Sequence, residues 1–201
     1  MTDAYRTVAE AATARFVVQG SEFIGHVRPV EDVETAERFV ESIEEEFDDA
    51  THNVPAYRVR AGADGMLREY SSDDGEPTGS AGKPALNVLT QRDLENVAVV
   101  VTRYYGGTNL GVGGLVRAYS RAVKDAVDAA GVVEERPHER LDITVEYDDS
   151  GTVRGILESE DLEFEADYTE TVHFDVRVPI AEAPALRDRI RSATSDRAVL
   201  E

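Results

Sequence analysis

The sequence contains no cysteine and almost no lysine. Without a thiol, the chain can form no disulfide, no thiolate zinc site and no cysteine nucleophile. Its 21 basic residues face 41 acidic ones, a formal charge of −20, and only Lys83 and Lys124 among the basic residues are lysines. The polar start of the chain and the absence of any apolar run of membrane-spanning length predict a cytoplasmic protein without a membrane partner.

Acidic residues occur in nearly every segment and alternate with regularly spaced apolar positions, and apolar residues make up 41% of the chain. A disordered acidic tail would combine high charge with low hydrophobicity, so this pattern indicates a folded chain with an acidic surface. At molar salt the Debye length is about 3 Å, and repulsion between surface carboxylates is screened. We therefore interpret the chain as adapted to a high-salt cytoplasm. The alternative is an ordinary solvated acidic surface.

The first two thirds of the sequence alternate between strand and helix patterns. Asp32 is placed to cap a helix, since apolar residues recur at helical spacing after it. The run 97–101 is apolar throughout, as is typical of a strand covered on both faces. We predict a strand pair within 15–30 around a Gly20-Ser21 turn, strands at 56–60 and 67–70 joined by a turn at 62–65, a strand at 97–101, and helices after Asp32 and at 115–130.

The pattern starts afresh after residue 136. Predicted elements there are a strand (141–147), a helix (151–159), two strands (162–168 and 172–179), a helix (181–193) and a short strand (198–200). The order β-α-β-β-α-β is that of the ferredoxin-like split motif. The sequence therefore predicts an α+β protein with one domain at residues 1–136 and a ferredoxin-like domain at residues 137–201.

A glycine-rich segment joins the strand at 97–101 to the helix at 115–130. Glycine lets the backbone adopt positive φ or approach a ligand closely, which we expect at Gly107 and Gly113, and free amides at a helix N-terminus favour an anion. Arg103 could add a bidentate contact, although neither a Walker loop nor a dinucleotide fingerprint is present. The alternative is a purely structural crossover. The predicted binding residues are Arg103, Tyr104, Tyr105, Gly106, Gly107, Gly111, Gly113, Gly114, Arg117 and, from an earlier loop, Lys83.

That earlier loop, residues 72–84, is rich in glycine and carboxylates. Its carboxylates could hold a hard cation, but loop carboxylates in so acidic a chain are usually solvated, and the scattered histidines lack the spacing of a metal triad. Lys83 could meet a phosphate or a carboxylate, and His52 could form a hydrogen bond at a cleft. We expect no metal and no cofactor. The further candidates are Asp74, Gly75, Glu76, Gly79 and His52.

Three segments together, His52 to Arg58, Asp73 to Pro84 and Val99 to Tyr119, strongly resemble the IMPACT/YigZ family. The matching motifs are His-x(4)-Tyr-Arg, Asp-Asp-Gly-Glu-Pro-x-Gly-x-Ala-Gly, and Arg-Tyr-Tyr-Gly-Gly-x-x-Leu-Gly-x-Gly-Gly-Leu-x-Arg-Ala-Tyr. The resemblance covers about residues 15–130. It implies a first domain similar to the second domain of ribosomal protein S5, a second domain similar to the ferredoxin-like fifth domain of elongation factor G, and a role in translational control.

Three functions remain open at this point. The first is binding of RNA, the ribosome or a translation factor, with a phosphate or nucleotide as a smaller ligand. In molar salt such binding would depend on shape, hydrogen bonds and stacking on Tyr104 and Tyr105 rather than on charge. The second is an enzyme for a small phosphorylated or peptide-like substrate, with Asp74, Glu76 or His52 as acid or base. The third is a protein-interaction module. We assign no catalytic residue.

Overall fold

The computed structural model describes residues 4–61 and 66–201, so the turn predicted at 62–65 lies outside the described residues. Two compact units are present, an N-terminal unit (Tyr5–Glu135) and a C-terminal unit (Arg136–Glu201). Each combines helices with an antiparallel sheet. The predicted fold class, two α+β domains, is confirmed, while the domain boundary at residue 137 stays a prediction.

The N-terminal unit is built on a five-stranded antiparallel sheet with the strand order β2-β3-β6-β4-β5. A separate pair joins β1 to β7. The strands are β1 (Tyr5–Val8), β2 (Ala12–Val18), β3 (Ser21–Pro29), β4 (His52–Ala61), β5 (Met66–Ser71), β6 (Val97–Tyr104) and β7 (Val132–Glu135), and the helices are α1 (Val33–Glu46), α2 (Gly82–Gln91) and α3 (Gly111–Ala130).

Helices cover both faces of this sheet, and the central strand β6 shows why. Side chains alternate between the two faces of a strand. Val97, Val99 and Val101 belong to the core that contains the buried residues of α2 and α3. Ala98 and Val100 belong to a second core with the buried residues of α1. The prediction from the apolar run, a strand covered on both faces, is confirmed.

The start of α1 was predicted correctly, whereas the start of α3 was not. The Asp32 carboxylate accepts a hydrogen bond from the Thr35 backbone N–H at 2.6 Å. The pKa of Asp32 lies below its ordinary value, first because of the Thr35 side chain and then because of this backbone bond. Helix α3 begins at Gly111, four residues before the predicted start at Leu115. Glycine has low helix propensity, so the first turn of α3 carries no local signal and depends on its tertiary contacts.

Helix α2 was missed altogether. Its Pro84 lies in the first turn, where the absent N–H has no intrahelical partner to lose. The buried residues Ala85, Val88 and Leu89 follow at helical spacing. The glycine and proline before them favoured a loop in the sequence, but burial of this short apolar face decides the structure.

The C-terminal unit is a four-stranded antiparallel sheet with the order β11-β8-β10-β9. Its elements are β8 (His138–Val145), α4 (Tyr147–Ser159), β9 (Glu163–Tyr168), β10 (Val172–Pro179), α5 (Ala183–Thr194) and β11 (Val199–Leu200). Buried residues of both helices share one core with the inward residues of the strands. The predicted β-α-β-β-α-β order is confirmed. None of the helices described is long and apolar enough to span a membrane.

Candidate functional site

A cavity of about 450 Å³ lies where the sequence motifs of the N-terminal unit converge. Strands β4 and β6 are antiparallel neighbours, and their register pairs His52 at the start of β4 with Arg103 near the end of β6. The loop after β5 adds Glu76 and Pro77, and the segment before α3 closes the remaining side. The cavity is lined by Thr51, His52, Glu76, Pro77, Arg103, Tyr105, Asn109, Leu110, Gly111, Val112 and Leu115.

Glu76 is the centre of the polar wall of this cavity. Its side chain is 4% exposed, and its Oε1 atom accepts two hydrogen bonds, one from Nη1 of Arg103 at 2.5 Å and one from the Tyr119 hydroxyl at 2.7 Å. Burial of the phenol, together with the neighbouring carboxylate, raises the pKa of Tyr119. The buried carboxylate is therefore both charge-paired and hydrogen-bonded, the condition under which a buried charge is tolerated.

Both terminal nitrogens of Arg103 bond to neighbouring side chains, while its buried Nε has no hydrogen-bond partner among the described residues. Besides Glu76, its guanidinium donates to the Ser21 hydroxyl at 3.3 Å, and it lies over the rings of Phe23 and Tyr105 at 5.4 and 5.5 Å. The residue is 5% exposed. An anion entering the cavity would meet a guanidinium whose charge Glu76 already offsets, so the wall is close to neutral.

His52 presents one defined ring nitrogen to Glu76. Its Nδ1 atom lies 2.6 Å from the backbone carbonyl oxygen of Asp74. A carbonyl oxygen only accepts, so Nδ1 must carry the proton. In a neutral imidazole Nε2 is then an acceptor, and it lies 3.8 Å from Oε2 of Glu76. Such a nitrogen can accept a hydrogen bond or a proton from a ligand.

The other two carboxylates of the loop after β5, those of Asp73 and Asp74, accept hydrogen bonds from backbone N–H groups and so fix the path of the chain. Asp73 accepts hydrogen bonds from the N–H groups of Gly79, Ala81 and Gly82. Burial alone would raise the pKa of Asp73, but these three bonds hold it below its ordinary value. Asp74 accepts from the Asn53 backbone N–H at 2.6 Å. Within residues 4–61 and 66–201 no group of three acidic or histidine side chains is arranged to hold a metal ion.

The glycine segment has two distinct parts. Gly106 packs against the turn between β2 and β3 so closely that a Cβ atom there would lie 1.9 Å from the Gly20 carbonyl carbon. Gly107 has a φ of +85° in open space, as predicted. Gly113 lies in the first turn of α3 without positive φ or a close neighbour. The expectation for Gly113 was wrong because α3 begins at Gly111, so that Gly113 has helical backbone rather than a turn conformation.

The structure brings together five of the predicted binding residues and leaves the others off the cavity wall. The lining residues among them are His52, Glu76, Arg103, Tyr105 and Gly111. Those off the wall are Asp74, Gly75, Gly79, Lys83, Tyr104, Gly106, Gly107, Gly113, Gly114 and Arg117. Lys83 and Arg117 are exposed on helices, and the Tyr104 hydroxyl donates to Asp49 at 2.7 Å. The binding role of all these residues stays a prediction.

Two residues that bond to the cavity residues, Tyr119 and Thr51, were not predicted as site residues. Tyr119 is not among the predicted binding residues, but its hydroxyl donates to Glu76. A buried tyrosine needs a partner for its hydroxyl, which is the signal that could have found it. Thr51, next to His52, accepts a hydrogen bond from the Tyr105 backbone N–H at 2.9 Å and so holds the start of the glycine segment to β4. No sequence periodicity indicates that contact.

Two family models match the chain, the Impact N-terminal domain at residues 19–127 and a domain of unknown function, DUF1949, at residues 143–197. The IMPACT family member YvyE of Bacillus subtilis is 36% identical over 97% of the chain and 89% of the relative. The IMPACT family member YigZ of Escherichia coli is 35% identical over 82% and 81%. A crystal structure of a hypothetical protein, 30% identical, covers 100% of the chain and 97% of its own, with a TM-score of 0.71.

Proposed function

Because the chain belongs to the IMPACT family, we propose that it acts in the control of translation as a protein that binds RNA, free or in the ribosome, at the cavity of its N-terminal unit. The family resemblance supports the connection with translation. The RNA is our inference from the shape and chemistry of the cavity, and it takes precedence here over a translation factor or a small-molecule substrate.

The observation that supports this proposal most is the position of Tyr105 at the cavity. Tyr105 is 46% exposed, and the cavity of about 450 Å³ lies in the usual range for ligand sites. Unpaired bases stack on such exposed rings, which sequence-independent RNA binders use as platforms. A hydrogen bond from the Tyr105 hydroxyl to Asn109 at 3.1 Å fixes the ring beside the opening.

The start of α3 can hold the RNA backbone beside the stacked base. Leu110, at the N-cap position, provides no side-chain hydrogen bond to the first turn. The N–H groups of a first helical turn have no partner within the helix, and they favour negatively charged groups such as phosphate. Leu110, Gly111 and Val112 all line the cavity. A base in the cavity would therefore bring its phosphate close to these groups.

The acidic composition is consistent with RNA binding only if charge supplies little of the affinity. The net charge is −20, and Arg103 on the cavity wall is paired with Glu76. Nonspecific binding by cationic surfaces weakens steeply as salt rises. Stacking and hydrogen bonds do not depend on counterion release, so we expect binding here to persist in molar salt.

The test is the affinity of fluorescently labelled single-stranded RNA for the full chain in molar potassium chloride, measured by anisotropy. Replacing Tyr105 by alanine should weaken binding by roughly tenfold, since stacking contributes about 1 to 3 kcal/mol per base. Tyr147 of the C-terminal unit, whose ring is also exposed, provides the matched control Tyr147→Ala. Equal binding by the Tyr105→Ala variant and wild type, or no binding of RNA by wild type, would contradict the proposal.

A further inference from the structure

We infer that the cavity selects an unpaired nucleobase carrying an exocyclic amino group, which donates to Nε2 of His52 and Oε2 of Glu76. This inference rests on the proposed RNA binding and names the part of the RNA that the cavity takes. Adenine, cytosine and guanine carry such an amino group, whereas uracil does not.

Two acceptors at the cavity face each other, and no described residue donates a hydrogen bond to either of them. Because Nδ1 of His52 donates to the Asp74 carbonyl, the imidazole in its neutral form presents Nε2 as an acceptor. Both protein donors to Glu76, Arg103 and Tyr119, bond to Oε1. Oε2 makes no hydrogen bond within the part of the chain that the structure describes, and it lies 3.8 Å from Nε2.

Polar atoms without a protein partner are satisfied by water or by a ligand, so a ligand that displaces water from this pair must bring a donor of its own. An amino group has two N–H bonds and can donate to both atoms. The nitrogen and the carboxylate oxygen both belong to residues on the cavity wall, where a ligand can reach them. The geometry therefore favours a ligand with an NH2 group over one with a single N–H.

The charge of the wall favours a neutral donor over a cation. An ammonium or guanidinium ligand near Glu76 would also meet Arg103, whose Nη1 lies 2.5 Å from the same carboxylate. Repulsion from Arg103 would offset much of the attraction to Glu76. A neutral amino group avoids this repulsion.

The rest of the wall favours a flat ring. Tyr105 offers an aromatic face, and Pro77, Leu110, Val112 and Leu115 add apolar surface. A nucleobase combines a neutral amino group with a ring that stacks and buries apolar area. A carboxamide side chain of a peptide has the amino group but no ring, so the nucleobase fits better.

The probes are two labelled decamers, one of adenosine and one of purine riboside, which has hydrogen in place of the amino group. In molar potassium chloride the adenosine decamer should bind wild type roughly tenfold more tightly, the discrimination expected from one good pair of base contacts. Replacing His52 by asparagine keeps a donor for the Asp74 carbonyl but removes Nε2. The preference for adenosine should then disappear. Replacing His52 by glutamine places an acceptor near the lost Nε2 and should restore part of the preference.

The outcomes separate this inference from the function on which it rests. If neither decamer binds, RNA binding itself is wrong. If wild type binds both decamers equally, RNA binding stands and recognition of the amino group is wrong. The wild-type comparison needs no variant, so misfolding of His52→Asn cannot obscure it. If a glutamine peptide displaces the labelled adenosine decamer at a lower concentration than unlabelled adenosine decamer does, the cavity belongs to a protein ligand and the inference is overturned.

Discussion

The two units of this protein differ in their density of charge and in how deeply their ion pairs are buried. The C-terminal unit has 8 basic and 17 acidic residues, and the N-terminal unit has 13 basic and 23 acidic residues. Because the C-terminal unit is half as long, its density of negative charge is higher. Its Arg140–Asp175 pair has side chains 67% and 37% exposed, whereas those of Arg103 and Glu76 in the N-terminal unit are 6% and 4% exposed. Exposed ion pairs occur in both units, but no ion pair described in the C-terminal unit has both partners buried as deeply as Arg103 and Glu76.

The difference in burial supports the proposed location of the functional site. Exposed ion pairs contribute little to stability and are screened by salt, so they need no special arrangement. Burying a charge pair costs desolvation energy that good geometry only partly offsets, and an apolar core would often be as stable. Glu76, Arg103 and Tyr119 retain this cost beside a cavity, which supports our proposal that the cavity is the binding site.

The largest expected effect is unfolding of the C-terminal unit in dilute buffer. Its higher density of negative charge should make it unfold before the N-terminal unit when potassium chloride is lowered from molar to millimolar concentration, because carboxylate repulsion is no longer screened. The side-chain NMR signals of His173 and His26 report on the two units separately. Retention of both folded signals in dilute buffer would refute the interpretation of the chain as salt-adapted.

The contrast is tested directly by replacing one buried and one exposed carboxylate, Glu76 and Asp175, by the corresponding amide. Replacing Glu76 by glutamine should lower the free energy of unfolding by about 3 kcal/mol, because it leaves Arg103 buried without its counter-charge. The measurement is urea unfolding in molar potassium chloride. A loss no larger than that of a surface pair would mean that the cluster is far better solvated than its burial implies.

Two glycine-to-alanine substitutions compare a closely packed glycine of the N-terminal unit with a glycine in open space in the C-terminal unit. A Cβ atom on Gly106 would meet the Gly20 backbone, so Gly106→Ala should destabilise the protein by about 2 kcal/mol. Gly155 in α4 has open space and no positive φ, so Gly155→Ala should stabilise it by up to about 1 kcal/mol. Thermal unfolding of the two variants should therefore shift in opposite directions. A shift in the same direction would contradict the close packing at Gly106.

The smallest effect is expected at the exposed pair of the C-terminal unit. Asp175→Asn removes the carboxylate that accepts a hydrogen bond from Arg140. Unfolding in urea should change by no more than about 1 kcal/mol, as for exposed ion pairs in general. A loss equal to that of Glu76→Gln would remove the distinction between the two units.

Much of the fold could be predicted from the sequence because its signals are local. The cap at Asp32, the apolar run of β6 and the element order of the C-terminal unit all depend on short-range spacing. The pair of β1 and β7 was missed because it joins Tyr5 to Glu135, and two four-residue segments so far apart show no periodicity of their own. Contacts of that kind follow from the closed fold rather than from any local pattern.

The candidate site could be predicted only as separate parts. Motifs indicated His52, Glu76 and Arg103, yet which atoms meet depends on the register of β4 against β6 and on the return of the loop after β5. The sequence favoured Arg103 as a free anion-binding side chain. Its pairing with Glu76, and the donor from Tyr119, arise from tertiary packing that spacing along the chain does not contain.

The most direct test of the account is a titration of the full chain with single-stranded adenosine decamer in molar potassium chloride, followed through the imidazole signals of its histidines by NMR. The chain has four histidines, and His→Gln variants assign their signals. Binding at the cavity should shift the signal of His52 while those of His26 and His173 stay in place. A shift of His173 with His52 unchanged, or no shift at all, would contradict the account.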